Sequence, residues 1–519
     1  MPRLPFITKR ANKSPFYGPD DDIPILVIVL MGIQHFLAVI GGIITPTILI
    51  SGSGNSSLNL DEDTRRYMVS ASLIVSGIMS LAQIIRFRIP RTRFYIGAGL
   101  LQITGVSFSN VAASQAVIHN MYKNAFGAIL GTQMLCALLS IGISFLPPRV
   151  IRKIFPKIVT GVVLTVIGAN LLKSGMESWA GGSGLCMNRP TSGEYRLCPD
   201  TSAPNAQPWG GPVNFGLGAS VFFTILVIEL VGSVFLKNIS VVIGLLIGCI
   251  IAASVGMFDG SSIASAPVGT FLWVKHFRWT IHGPGIIPFL FVQLDMVLEC
   301  LGDLTAACDV SGLPIEGTVF EERCQGGLLA DGISGVFSGL ATSMGVVTFS
   351  QNNGVIAVTR CANRRAGVTC AFLLIICGIF SKIAAAFLAI PSPLIGGMTV
   401  FLFASVATSG VRILGFLSWT RRDRVIVAAS LAIALGVSLV PSWFEYVLPS
   451  SDNQALQGFL SAITTVVSTS YIMGGIISIV LNLILPYENS TLEDEEAKKL
   501  RISSGAINAF CEKGTTSYL

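Results

Sequence analysis

The chain has 519 residues, of which 52 % are hydrophobic and only 12 % are charged, and its mean hydropathy is +0.71. Soluble domains carry about 25 % charged residues, so this composition excludes an ordinary soluble protein and predicts a polytopic membrane protein. The net charge of +6 does not indicate nucleic-acid binding, because the Lys and Arg residues fall in clusters between apolar runs.

The first predicted element is an apolar run that begins at Ile23, after a basic and polar N-terminal segment. This run is too long for the apolar part of a cleavable signal peptide, so we expect it to insert as its own signal. Further runs of about 20 residues, the length that crosses a bilayer, recur as far as Leu485. We count fourteen of them, which predicts an all-α polytopic membrane protein with fourteen transmembrane segments.

Basic clusters follow the even-numbered segments, except for a mixed loop after the eighth. They are residues 86–93, residues 149–157, Lys237, residues 360–365 and residues 421–424. Loops rich in Lys and Arg stay on the cytoplasmic side of a membrane. The sequence therefore predicts that both termini are cytoplasmic.

The loop at residues 179–211 is polar and rich in Gly, Pro and Asn, and the charge pattern makes it an outer loop. It contains Cys186 and Cys198, which we predict to form a disulfide. The other cysteines fall mostly in apolar segments, where a small buried hydrophobic residue is the simplest interpretation. No Cys or His spacing typical of a metal site is present, so we predict neither a metal nor a cofactor.

Two short matches indicate an internal repeat. Residues 105–110 in the third segment resemble residues 346–352 in the tenth, and residues 23–26 resemble residues 287–290. The first pair consists of β-branched and aromatic residues that end in amides, which predicts a short strand in each of segments three and ten. Because each half has an odd number of segments, seven, the second half is inverted relative to the first, as in many transporters.

The eighth segment carries three carboxylates, Asp295, Glu299 and Asp303, spaced four residues apart and therefore on one helix face. Each ionised carboxylate at a membrane helix centre costs about 2.5 to 3.5 kcal/mol, so three of them imply a polar cavity or bonding partners. Glu299 is the main ligand candidate. We expect Asp303 to connect this helix to the strand of the tenth segment, and for both Glu299 and Asp303 a buried hydrogen-bond network without substrate contact is the alternative.

Two further ionisable residues lie in apolar surroundings. Asp331 precedes the apolar run of the ninth segment, and it is either a helix cap or a carboxylate that carries a coupled proton. His35 follows Gln34 in the middle of the first segment, where it is either a satisfied core residue or a functional one.

Residues 351–360 resemble the signature of the nucleobase-ascorbate transporters. That signature runs Gln, Glu or Pro, then Asn, any residue, Gly, four further residues, Thr and a basic residue, and every constrained position is met. The Gln34-His35 pair, residues 299–303 and Asp331-Gly332 also match in order and spacing, so the resemblance covers nearly the whole chain. Within the family, the chain is most similar to the uric acid-xanthine permeases of filamentous fungi.

The resemblance implies a two-domain organisation. A core domain would comprise residues 23–147 (segments 1–4) and 285–390 (segments 8–11), and a gate domain would comprise residues 148–257 (segments 5–7) and 391–485 (segments 12–14). Residues 1–22 and 486–519 would be cytoplasmic tails. The resemblance also implies a homodimer formed through the gate domains in the lipid of the plasma membrane, proton symport, and an elevator-type movement of the core.

The resemblance further implies roles for individual residues. Glu299 and Gln351 would hydrogen-bond a purine, Phe108 and Phe349 would flank its ring, and the backbones of Phe108 and Ser350 would add contacts. The residues that would support the site or couple it to protons are His35, Asp303, Asp331, Asn352, Asn353 and Thr359. Thr469 and Tyr471 stand where the family filters selectivity at the gate.

Hydrogen-bond chemistry agrees with xanthine or uric acid as the substrate. A purine dione presents N–H donors beside C=O acceptors, a carboxylate accepts from N–H groups, and a primary amide both donates and accepts. Members with Pro or Glu at the first signature position are of the ascorbate or uracil type, whereas Gln favours xanthine and uric acid.

Alternatives from other classes remain open. A channel would show a pore repeated on several subunits rather than one asymmetric site. An enzyme would need a metal cluster or a nucleophile constellation, and neither is evident in the sequence. Another nucleobase such as uracil, or ascorbate, would use the same fold. A sulfate or bicarbonate exchanger of related fold is the runner-up, although its anion site would favour helix dipoles and basic groups over a carboxylate.

Overall fold

The computed structural model describes most of the chain. The described residues are 16–52, 57–120, 124–146, 156–182, 185–188, 196–198, 206–233, 236–237, 239–258, 260–315, 317–349, 351–415, 417, 419–444, 447, 460, 463–464 and 466–486. The tails predicted at residues 1–22 and 486–519 therefore lie largely outside this set.

The described residues are mostly helical. The helices are α1 (Ile25–Ser51), α2 (Glu62–Ile84), α3 (Phe108–Asn120), α4 (Ala125–Ser144), α5 (Lys157–Ala180), α6 (Pro212–Val231), α7 (Ser240–Ser254), α8 (Ser261–Ser265), α9 (Ile286–Val310), α10 (Thr318–Leu340), α11 (Gln351–Thr359), α12 (Arg364–Ile379), α13 (Ser381–Leu388), α14 (Ser392–Leu414), α15 (Arg421–Leu439) and α16 (Ser470–Ile484). Short 3-10 turns lie at Leu185–Asn188, Gly283–Gly285 and Pro441–Phe444.

Seven of the described helices are long and apolar enough to cross a membrane, and they become eight if the bent pair α12 and α13 is one span. The chain bends by 80° between the two helices of that pair. Helices α7 and α16 are apolar but shorter. The prediction of an α-helical membrane protein is confirmed at this level.

Four short strands form two antiparallel pairs among the described residues. Strand β1 (Phe87–Arg88) pairs with β2 (Tyr95–Ile96), and β3 (Thr104–Val106) pairs with β4 (Val346–Thr348). In the second pair Gly105 lies opposite Val347. Strands β3 and β4 lie in the two stretches where the sequence predicts strands, and each is followed after one or two residues by a helix, α3 or α11.

Glycines allow close contact between helices α5 and α14. A Cβ atom on Gly168 would lie 2.3 Å from the backbone nitrogen of Ala407, and one on Gly410 would lie 2.4 Å from that of Thr165. Small residues let the backbones of membrane helices approach closely, and this replaces the hydrophobic driving force that lipid cannot supply. A bulkier side chain at either glycine would force the two helices apart.

A disulfide joins Cys186 and Cys198, with 5.4 Å between their Cα atoms. Both cysteines are buried, and Cys198 also pairs with Gln207 through backbone hydrogen bonds. The disulfide therefore ties the connection between α5 and α6 together beside the first turn of α6.

Candidate functional site

Strands β3 and β4 lie in the interior, and all six of their residues are buried. Buried backbone groups need hydrogen-bond partners, and the strands satisfy one another through their antiparallel pairing. Each strand ends where a helix begins, so two helix N-termini open into the same region. Helix α9 packs against α3, β4 and α11 and brings its carboxylates to this region.

Asp331 supports strand β4 from helix α10. Its carboxylate accepts hydrogen bonds from Gln83 Nε2 at 2.6 Å and from both the backbone N–H and the hydroxyl of Thr348 at 3.3 Å. The cap alternative is wrong, because α10 begins at Thr318 and Asp331 lies in its interior. The polar residues that precede the apolar run are themselves helical, so the run does not mark the start of the helix.

The ring of Phe349 lies over two glycines. A Cβ atom on Gly105 would come within 2.4 Å of this ring, and one on Gly42 within 2.9 Å. Phe349 follows β4 and is buried, and its backbone N–H donates to the carbonyl of Ile103. Because glycine has no side chain, Gly42 and Gly105 leave the space that the Phe349 ring occupies.

Replacing Gly105 by alanine is expected to displace the Phe349 ring, because the new methyl group would overlap the ring and also approach Ile43. Overpacking of this kind costs about 1 to 3 kcal/mol. We expect substrate uptake about 5- to 150-fold lower at equal protein in the membrane, since ~1.4 kcal/mol corresponds to a factor of ten. Gly142→Ala in α4, where a Cβ atom meets nothing within 4 Å, is the matched control. Equal uptake by the two variants would contradict this account.

His35 connects α1 to the start of α11. Its Nδ1 atom lies 2.9 Å from Oδ1 of Asn352, and both side chains are completely buried. Because Asn352 Oδ1 can only accept, His35 carries its proton on Nδ1 in this contact. Its Nε2 atom has no hydrogen-bond partner among the described residues. Asn352 Nδ2 in turn donates to the carbonyls of Ile103 and Phe349, which brings β3 and β4 into the same network.

Asp303 connects α9 to the first turn of α11 rather than to strand β4, and it does so through its backbone. The carbonyl of Asp303 accepts from Asn353 Nδ2 at 3.1 Å and from Gln102 Nε2 at 3.3 Å, whereas its carboxylate oxygen Oδ2 has no partner among the described residues. The side chain that bonds to strand β4 is that of Asp331 instead. The sequence signal was correct about the helix and could not distinguish backbone from side chain.

Glu299 and Gln351 present polar side chains that the described residues leave unbonded. Glu299 is partly buried on α9, near enough to Asp331 and Asp295 for electrostatic interaction, and Gln351 is the exposed first residue of α11. A carboxylate and an amide at the start of a helix can together accept and donate hydrogen bonds.

Phe108 makes an edge-to-face contact with Phe403 of α14, with ring centroids 5.4 Å apart. Phe108 is the first residue of α3 and lies two residues after the end of β3, whereas Phe349 lies directly after β4. Thr359 ends α11 and bonds to the carbonyl of Val355 at 2.8 Å. Ser350 lies outside the described residues.

Thr469 and Tyr471 lie at the start of α16, and both are buried. The Tyr471 hydroxyl has no hydrogen-bond partner in the described part of the chain. The structure brings Tyr471 close enough to Asp295 for an electrostatic interaction, so the start of α16 lies near the carboxylate face of α9.

Three residues of this network were not singled out from the sequence. Gln83 bonds to Asp331, Ser109 donates to Asp295 Oδ2 at 2.9 Å, and Gln133 accepts from the backbone of Gly345 at 2.9 Å. Gln83 and Gln133 are fully buried amides inside apolar runs, and this was an available signal. Ser109 carries no such signal, because serine is common in membrane helices. No group of three or more metal-ligating side chains is assembled within the described ranges.

Comparison with known proteins places this architecture among permeases. Residues 26–198 and 200–443 match the family Xan_ur_permease, described as a permease family. The chain is 46 % identical over 514 residues to a purine permease of Emericella nidulans, covering 95 % of this chain and 88 % of that protein. It is 45 % identical over 503 residues to the uric acid-xanthine permease of the same fungus, covering 94 % and 86 %. It is also 32 % identical over 487 residues to the xanthine permease XanQ of Escherichia coli K12, covering 92 % and 95 %.

Two solved structures share the fold at low sequence identity. The transmembrane domain of the cyanobacterial bicarbonate transporter BicA matches with a TM-score of 0.53 and 16 % identity, covering 86 % of this chain and 99 % of that one. The murine anion transporter Slc26a9 in its inward-facing state matches with a TM-score of 0.54 and 11 % identity, covering 92 % and 73 %. The structure is thus a transporter fold, and the family match extends over most of the chain. The chain belongs to this permease family, that of the nucleobase-ascorbate transporters.

Proposed function

We propose that this protein is a proton-coupled symporter that imports xanthine and uric acid across the plasma membrane. The relatives named as purine and uric acid-xanthine permeases support the purine class of substrate. One observation at the site carries the proposal. The side chains of Glu299 and Gln351 make no hydrogen bond to the described residues, and they lie beside two paired strands and two helix N-termini. Glu299 can accept hydrogen bonds, and Gln351 can both donate and accept them.

In this proposal Glu299 and Gln351 bind one edge of the purine. The carboxylate accepts from ring N–H groups, and the amide pairs with a neighbouring carbonyl and N–H group. The exposed position of Gln351 at the first turn of α11 favours such a contact, since the N-terminus of a helix attracts electron-rich carbonyls.

Phe108 and Phe349 flank the purine ring in offset stacking, and the backbones of Phe108 and Ser350 add contacts. The two aromatic residues lie within two residues of the ends of the paired strands, and this placement supports a flat ligand held between them. Thr469 and Tyr471 filter selectivity from the gate side.

Six residues support the site or couple it to protons: His35, Asp303, Asp331, Asn352, Asn353 and Thr359. Asp331, with three hydrogen bonds, is suited to support. Asp303 has a buried oxygen without a described partner, and an ionised carboxylate in that position is costly, so proton binding would relieve the cost.

We further propose fourteen segments in a core and a gate domain, with strand-helix pairs as segments three and ten. Helices α5, α6, α7, α14, α15 and α16 of the gate pack mainly on one another, and this supports a separate body. The core would slide against the gate in an elevator movement, and the Phe108–Phe403 contact would lie on the sliding surface. A homodimer through the gates in lipid, with both termini cytoplasmic, completes the proposal.

Uptake of labelled xanthine tests this function in cells that lack their own purine permeases. We expect saturable uptake that rises at acidic external pH, because the proton is a co-substrate, and that excess unlabelled urate blocks. Uracil, ascorbate and sulfate should not compete. Uptake that is independent of pH would contradict proton coupling, and competition by sulfate or ascorbate would overturn the substrate assignment.

A further inference from the structure

The segment just before α1 is bound along the connection between α11 and α12. We call residues 16–22 the N-terminal strap. Tyr17 pairs with Cys361 in a parallel bridge, since its N–H donates to the carbonyl of Arg360 and its carbonyl accepts from Ala362, both at 2.9 Å. The N–H of Arg364 also donates to the carbonyl of Pro19 at 3.0 Å. The strap therefore lies along residues 360–364, attached by one isolated β-bridge and one further backbone hydrogen bond.

Asn363 is the side chain that holds the two segments together. It is 1 % exposed, and its Nδ2 atom donates to the carbonyl of Gly18 at 3.3 Å and to that of Asp21 at 2.7 Å. Its Oδ1 atom accepts from the N–H of Arg365 at 3.0 Å and caps α12. One amide thus joins the strap to the first turn of α12.

Two ion pairs add to the contact from the surface. Asp20 pairs with Arg364, and Asp22 pairs with Arg365 at 3.1 Å. The carboxylates are 71 % and 93 % exposed, and exposed pairs contribute little because water screens them. The buried amide and the backbone bonds are therefore the main attachment.

The strap and the helix that follows it contact both ends of α11, the helix that begins at the candidate site. It leads directly into α1, whose His35 bonds to Asn352 at the start of α11, and it holds residues 360–364 at the end of α11. Helix α11 is short and begins with Gln351. Both ends of this helix are thus connected to one continuous stretch of chain, residues 16–35.

We infer that Asn363 is a positioning residue, which docks the N-terminal strap and thereby holds α11, with Gln351 at its start, in the geometry that binds substrate. The docking itself does not depend on what is transported, whereas its consequence for substrate affinity rests on the proposed function. The strap stays docked while transport proceeds, because every residue it contacts belongs to the proposed core.

The first test measures docking without transport. Tyr17→Cys places a thiol beside the native Cys361, and paired strands lie about 4.8 Å apart, within the range that a disulfide can bridge. Oxidation of the full-length protein in membranes should join the two, as detected by mass spectrometry of the linked peptides. Tyr17→Cys with Cys361→Ser is the control that cannot form this link.

Asn363→Asp separates docking from capping. Aspartate caps a helix as well as asparagine, but it cannot donate to the strap carbonyls and adds a negative charge beside Asp20 and Asp22. We expect the rate of cross-linking between residues 17 and 361 to fall at least about threefold, since two hydrogen bonds to the strap are lost and each has an effect of about two- to tenfold. The double change Asp20→Asn and Asp22→Asn should leave the cross-linking rate within about twofold of that in the protein with Asn363. Equal cross-linking in the Asn363 and Asn363→Asp proteins would overturn the inference.

The second test measures the consequence at the site. Asn363→Asp should raise the KM for xanthine about three- to tenfold at an unchanged amount of protein in the membrane. Oxidation of Tyr17→Cys in the Asn363→Asp background should return the KM toward that of the parent, and oxidation in the Asn363 background should leave uptake intact. An unchanged KM in Asn363→Asp, or loss of uptake on locking the strap, would contradict the positioning role.

A transport-independent measurement distinguishes this inference from the proposed function. The rate at which a maleimide labels Gln351→Cys reports the position of α11 whatever the substrate is. That rate should change when Asn363→Asp is added, and an unchanged rate would count against the inference. Absence of xanthine uptake by the unaltered protein would overturn only the proposed function.

Discussion

Replacing Glu299 by glutamine is expected to abolish most xanthine uptake. The amide has nearly the same shape as the carboxylate, but it would present an NH₂ group to the purine N–H groups and lose the charge. Hydrogen bonds to charged groups contribute about 1.5 to 3 kcal/mol, so the KM should rise about 10- to 150-fold. Concentration-dependent uptake of labelled xanthine, normalised to the protein in the membrane, gives this value.

Asp309→Asn is the matched control for Glu299→Gln. It makes the same chemical change on the same helix at an exposed position, and it should leave the KM unchanged. Gln351→Ala should weaken xanthine binding strongly as well, since both side chains bind one edge of the purine. Wild-type kinetics in either site variant would rule out that residue as a direct ligand.

Replacing Asp331 by asparagine is expected to damage the fold around β4 as well as transport. The carboxylate accepts from Gln83 on one side and from Thr348 on the other. An amide can accept on only one side, so a buried donor would face another donor, at a cost of about 1 to 3 kcal/mol. We expect a lower thermal midpoint for the detergent-solubilised protein and about 5- to 150-fold less uptake.

A compensating change tests whether the pairing with Gln83 is responsible. In Asp331→Asn combined with Gln83→Glu, the asparagine carbonyl accepts from Thr348 while its NH₂ group donates to the new carboxylate. Part of the lost thermal stability should return, although the bond from Gln83 to the carbonyl of Gly327 is missing. A thermal midpoint unaffected by Asp331→Asn would show that these hydrogen bonds do not stabilise the strand.

Local composition was sufficient to predict the strands of the site. The stretches that end at Phe108 and at Phe349 are β-branched and aromatic, and each becomes a short strand followed by a helix. The breaks in segments three and ten could therefore be found without knowing what lies beside them. Only the helix-cap alternative for Asp331 was wrong, since hydropathy marks where an apolar run begins and not where a helix begins.

Partner choice among the buried polar groups could not be predicted in the same way. Three carboxylates on α9 and one on α10 were candidates for contact with the tenth segment, and Asp331 supplies the side-chain bond while Asp303 supplies its backbone. Helix crossing and register decide between them, and neither is encoded in residue spacing.

The sequence by itself determined the membrane environment, the apolar segments, the permease family and the places where two segments break into strands. These properties depend on local hydrophobicity and local backbone preference, which add up along the chain. Only the tertiary structure decided that His35 meets Asn352, that Asp331 meets Gln83 and Thr348, and that Asn363 holds the N-terminal strap. These contacts depend on how the helices cross and on which polar atoms packing leaves without water, because a buried polar group bonds to whatever partner the fold brings within reach.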